Sequence, residues 1–93
     1  MGPLGRLSAA AAARAVELEK RSADLQDRGK DAPAGPSFVA ALRRTDVAVV
    51  AEVKRRSPSK GVINAGLDVG EQASAYARGG AAALSILTEP TEF

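Results

Sequence analysis

Two short apolar runs, VAVVAEV at 47–53 and ALSILT at 82–87, flank one helix-forming segment, and that order leaves few folds open. Both runs are rich in β-branched or large aliphatic residues, as buried strands require. Between them Asp68 and Glu71 stand in D-x-x-E spacing, a variant of the capping box, and predict a helix from there through Arg78. Gly79 and Gly80 supply its stop. Strand, helix, strand is a βαβ unit with parallel strands, so the expected fold class is α/β. A parallel pair wants helices on both faces and neighbours on both edges. The chain ends at Phe93, just after the second run, and the expectation is therefore the first part of a larger α/β protein.

Upstream, the spacing predicts a long amphipathic helix over about 5–28, with Leu4, Ala11, Leu18 and Leu25 on one stripe and charges on the rest. Gly29 is its expected stop, and GKDAPAGP at 29–36 reads as a linker. Ser37 is placed to cap a short helix running to about Arg44 that buries Phe38, Ala41 and Leu42. A loop of about a dozen residues with Gly61 and Gly66 follows the first strand. The organisation expected is one partial domain, with a helical extension over 1–46 and the βαβ unit over 47–93.

Composition narrows the chemistry. The hydrophobic fraction is 45%, but 20 of the 93 residues are alanine and aromatics make up 3%, so any core is thin. With no cysteine and no histidine, the chain can form neither disulfides, thiolate or imidazole metal sites, nor Ser-His or Cys-His nucleophile pairs. No run of 18 apolar residues spans a membrane, and the alanine-rich start, interrupted by Arg14, is a poor signal peptide. A cytoplasmic location without membrane attachment is the expectation. The net charge of +2 suits anionic small molecules as well as nucleic acid.

The first strand carries charge where burial is expected. Side chains alternate, so Val50, Glu52 and Lys54 share one face while Val49, Ala51 and Val53 share the other. Neither charge can be desolvated alone, so the two must pair or meet water or substrate. Ligands of parallel α/β sheets bind at the carboxyl ends of the strands, and a carboxylate beside an ammonium there can hold an anion and move protons. The same residues also fit a plain structural ion pair, and spacing alone leaves both readings open. The basic turn KRRSPSK at 54–60 could be a polyanion patch or a phosphorylation site at Ser57. No aromatic interleaves it and no further cation follows before Arg78, a footprint too small to expect nucleic acid.

The string VAEVKRRSPSKGVIN at 50–64, followed by GGAAALSILTEPTEF at 79–93, resembles the indole-3-glycerol-phosphate synthase family of tryptophan biosynthesis. That family's first strand reads roughly I-A-E-x-K and its turn S-P-S-x-G. Its second strand reads S-V-L-T-E, followed by a Phe. SFVAALRR at 37–44 and the leading helix look like the family's amino-terminal extension. The resemblance implies the amino-terminal part of a (β/α)8 TIM barrel: leading helix, short helix, then one βαβ unit. It also implies a lyase that converts 1-(2-carboxyphenylamino)-1-deoxyribulose 5-phosphate to indole-3-glycerol phosphate, carbon dioxide and water, without a cofactor.

Carried over residue by residue, Lys54 matches the lysine that holds the substrate carboxylate and is a candidate proton donor, and Glu52 the glutamate that orients it. Ser57 matches a hydrogen-bond donor to the substrate. Ser85 and Leu87 match lumen positions beside its aromatic part, and Phe93 an apolar loop residue over the aryl ring; Leu84 and Ile86 are expected to face helices. Plain packing is the competing expectation for Ser85, Leu87 and Phe93. The family's other catalytic lysine and its general-base glutamate belong to later strands, so this chain alone is expected to be inactive. Two alternatives stand beside this one. The first is another phosphate-binding barrel enzyme such as phosphoribosylanthranilate isomerase, disfavoured because that family's first strand offers a cysteine. The second is a small basic module that binds a partner without catalysis.

Overall fold

The computed structural model describes residues 2–93 and divides into two compact units, one up to Gly35 and one from Pro36 to Phe93. The first holds α1 (Pro3–Glu19) and α2 (Ser22–Asp31). Helix α1 opens with Pro3 in its first turn, where a missing N–H costs nothing. The single helix expected over 5–28 is instead two, because Arg21 leaves helical geometry at φ −109° and ψ 14°. Both sides of the break are tied by exposed ion pairs, Lys20 to Glu17 at 2.9 Å and Arg21 to Asp24 at 3.2 Å. Each such pair contributes a few tenths of a kcal/mol.

Gly29 does not end the helix either. Helix α2 continues to Asp31, with Asp24 in its first turn and Arg28 and Lys30 in its last, the polarity a helix dipole favours. One glycine costs about 1 kcal/mol in a helix, whereas Pro33 forbids helical geometry at Ala32, which is extended. Proline, not glycine, sets this boundary. No described residue of either helix is buried, and Leu4, Leu18 and Leu25 stay exposed.

In the second unit Ser37 caps α3 (Phe38–Leu42) as expected, its Oγ accepting the Ala40 N–H at 3.1 Å. The helix stops at Leu42, short of Arg44, whose guanidinium turns instead to Asp46 with two hydrogen bonds of 2.9 Å each. Expected burial under α3 falls short: α3 packs on the last strand, yet Phe38 and Leu42 are exposed and Ala41 half-buried.

Strand β1 (Val50–Val53) pairs in parallel with β4 (Ala83–Ile86) in the register Val50 to Ala83, Ala51 to Leu84, Glu52 to Ser85 and Val53 to Ile86. Both are shorter than the runs 47–53 and 82–87, because a strand extends only as far as its partner reaches. Val47 has no partner strand and lies 82% exposed. At the far end the Leu87 N–H still donates to the Val53 carbonyl at 3.1 Å.

Between them lies α4 (Val69–Arg78), opened by Asp68, whose Oδ1 accepts the Glu71 N–H at 2.9 Å. It closes on Gly80 at φ +99°, a left-handed position that suits glycine. Helix α4 packs on both strands, and Ala75 and Tyr76 approach Val49 and Ala51. Val53 is the buried apolar residue of this layer, at 2% exposure. Leu84 and Ile86 lie on the same face by register and keep 39% of their surface exposed.

The stretch expected to be a loop contains a small antiparallel hairpin, β2 (Arg56–Ser57) with β3 (Gly61–Val62). Gly61 turns the corner at φ +67°, and the Ser57 Oγ accepts the Lys60 N–H at 3.1 Å. Proline early in the turn and glycine at its left-handed end are the local signals for it.

Candidate active site

The carboxyl end of β1 gathers most of the residues that the sequence singles out. Glu52 and Lys54 project from the same face, as alternation requires, and their side chains meet, Nζ to Oε1, at 3.5 Å. Lys54 is 34% and Glu52 48% exposed, so both remain open to solvent and to a ligand. At that exposure the pair stabilises by less than about 1 kcal/mol. It is therefore available for exchange: an incoming carboxylate can take over the ammonium at little cost.

Ser85 is the register partner of Glu52, and partners in a parallel pair project to one face, so its half-buried hydroxyl stands beside the carboxylate. Leu87, one step further along that face, is half-buried and anchored through its N–H. A cleft of about 340 Å³ opens at Glu52 and Lys54, walled by Asn64 and Leu67 of the connecting loop and by Gln72 and Tyr76 of α4.

Ser57 and Phe93 stand apart from that pair. Ser57 is 6% exposed inside the hairpin, and its oxygen already accepts from Lys60; the hydroxyl retains its own proton for donation. Phe93 is half-buried and lines a second cleft of about 350 Å³, with Arg55, Arg56, Val62, Thr88 and Pro90.

Two features escaped the sequence. One is the Arg55 carbonyl, which accepts from both the Ile63 and Asn64 N–H at 2.8 Å and so folds the hairpin back on the end of β1. The other is the side chain of Arg56, which donates to the Pro90 carbonyl at 2.9 Å, across 34 positions. Nothing in KRRSPSK marks one of its four cations for a carbonyl. Outside the site, hydrogen bonding to Arg44 holds the Asp46 carboxyl below its ordinary range, and Asp46 raises the Arg44 guanidinium in turn. No group of acidic residues among those described could hold a metal ion, and none of the described helices is long and apolar enough to cross a membrane.

These features define a class: an α/β protein with a parallel βαβ unit and a carboxylate–ammonium pair where its first strand ends. The sequence model described as "Indole-3-glycerol phosphate synthase" matches residues 4–93. A protein of that name from Mycolicibacterium gilvum is 49% identical over 71 residues, 76% of this chain and 26% of the relative. One from Mycolicibacterium vanbaalenii is 42% identical over 88 residues, 95% of this chain and 31% of the relative. One from Opitutus terrae is 59% identical over 63 residues, 66% of this chain and 23% of the relative. The chain belongs to the indole-3-glycerol phosphate synthase family. It spans between 23% and 31% of the length of these curated relatives.

Proposed function

We propose that this chain supplies the first catalytic strand of an indole-3-glycerol-phosphate synthase, a carboxy-lyase of tryptophan biosynthesis. Residues 1–46 form the extension and 47–93 the first βαβ unit of its TIM barrel. The observation that carries the reading is the 3.5 Å Lys54–Glu52 pair at the carboxyl end of a parallel strand, with Ser85 in register beside it.

The substrate is 1-(2-carboxyphenylamino)-1-deoxyribulose 5-phosphate, which brings a carboxylate and a phosphate. Lys54 takes the carboxylate as a compact point charge and serves as proton donor to the oxygen that leaves as water. Glu52 keeps the ammonium aimed and takes part in returning the proton. The new carbon–carbon bond closes the five-membered ring, and the ring regains aromaticity as carbon dioxide and water depart. The Ser57 hydroxyl donates a hydrogen bond to the substrate, while Ser85, Leu87 and Phe93 line its aryl side. No cofactor takes part in this scheme. Ring closure needs a proton donor and acceptor on opposite sides of the reacting carbons, and one strand pair cannot place both. The 93-residue chain alone is therefore expected to give no turnover.

The test is a chimera in which residues 4–93 replace the matching segment of the Mycolicibacterium vanbaalenii relative. Indole-3-glycerol phosphate formed from the open-chain substrate, followed by its fluorescence, supports the reading. A folded chimera without product, beside an active parent, sinks it.

A further inference from the structure

The hairpin β2–β3 and the segment after β4 are each locally braced, and a single side chain joins them. On one side, Arg56 is held by backbone pairing with Val62, and the adjoining Ser57 by pairing with Gly61. On the other, the Glu89 carboxylate accepts the Thr91 N–H at 3.0 Å, the Glu92 N–H at 2.6 Å and the Thr91 hydroxyl at 2.6 Å. Those bonds turn the chain tightly at Pro90 and leave its carbonyl facing the hairpin. The half-buried Arg56 reaches across and donates to that carbonyl at 2.9 Å. The cleft that contains Phe93 lies between these two braced pieces. A guanidinium suits the task, because it is planar, permanently charged and loses little freedom for each bond it forms. Its neighbour Arg55 lines the same cleft with an exposed side chain.

We propose that Arg56 is a positioning residue: a strut between the hairpin and the segment after β4 that sets the width of the Phe93 cleft, rather than a cation that attracts substrate. This rests on the functional reading above, in which that cleft takes the aryl side of the substrate. A strut and an anion attractor respond differently to charge-preserving change, to salt and to loss of the neighbouring arginine. Coulomb attraction at an exposed site is screened within about 10 Å at moderate salt, whereas a hydrogen bond to a carbonyl is not.

The experiment uses the same chimera with Arg56→Gln, Arg56→Lys and Arg55→Gln. Loss of one charge-assisted hydrogen bond predicts a fall of about tenfold in kcat/KM for Arg56→Gln. That fall is expected mainly in KM and equally at low and high salt. Arg56→Lys should recover part of it, and any loss in Arg55→Gln should shrink at high salt, unlike that in Arg56→Gln. Hydrogen exchange at the Thr91 and Glu92 amides should speed up in Arg56→Gln alone. Should Arg56→Gln fail to fold, Arg56→Lys carries the comparison with a smaller change in the same direction. Equal losses in Arg55→Gln and Arg56→Gln that vanish at high salt overturn the strut. So do wild-type kinetics and wild-type exchange in Arg56→Gln. A chimera that makes no product speaks against the functional reading only, since amide exchange in that same protein still decides the strut.

Discussion

In the roles proposed for them, Lys54 and Glu52 serve chemistry while contributing little to the fold. Their 3.5 Å contact is solvent-open, so removing either should change the denaturation midpoint of the chimera hardly at all, within about 1 kcal/mol. Turnover should respond differently: Lys54→Gln is expected to lower kcat by roughly a hundredfold or more, the range for loss of a positioned proton donor. Unchanged turnover together with lost stability would return the pair to a structural role. A second residue-scale prediction concerns Asp46, whose carboxyl is lowered by the hydrogen bonds from Arg44. A lowered carboxylate contributes stability that is present above its unfolded-state pKa and is lost as pH falls through the folded value. The window thus lies below about pH 4. A carbon-13 titration should find Asp46 below ordinary aspartates, and Arg44→Gln should move it back up. An unmoved midpoint speaks against the pair.

Among the elements, the caps of α3 and α4 and the end of α4 at Arg78 were readable from single residues, whereas the ends of α1, α2, α3 and the strands were not. Ser37 and Asp68 each accept the N–H three positions on, as side-chain chemistry dictates, so Ser37→Ala and Asp68→Ala should each cost about 1 kcal/mol in urea melts of the chimera. Gly61 and Gly80 occupy left-handed positions, with open space where a Cβ would stand. Alanine at either should therefore cost about 1–2 kcal/mol through backbone strain alone, which the same melts read. Aspartate or asparagine, tolerant of that geometry, should cost less than alanine. The hairpin at 56–62 could have been found from its turn residues, Pro58 and Gly61. The break at Arg21 carries no comparable mark, because propensity through AVELEKRSADLQ is helical on both sides.

At the scale of the whole molecule the limiting quantity is burial. Among the described residues Val53 and Ser57 are the buried ones, while Phe38, Val47, Val49, Val50, Leu84 and Ile86 remain exposed. Stability of a few kcal/mol needs far more apolar area than this. Calorimetry of the isolated 93-residue chain should accordingly show no cooperative peak, whereas the active chimera should melt in one. A sharp melt of the isolated monomer contradicts that expectation.

What residues alone determine here is everything local. Alternation puts Glu52 and Lys54 on one face, short polar side chains cap α3 and α4, and the order of apolar runs makes the strands parallel. These need only neighbours within a few positions, so sequence suffices. Tertiary structure decided where strands stop, since a ladder is as long as its partner, and which of the four cations in KRRSPSK reaches Pro90. Both depend on distances between segments far apart in the chain, which no local propensity encodes.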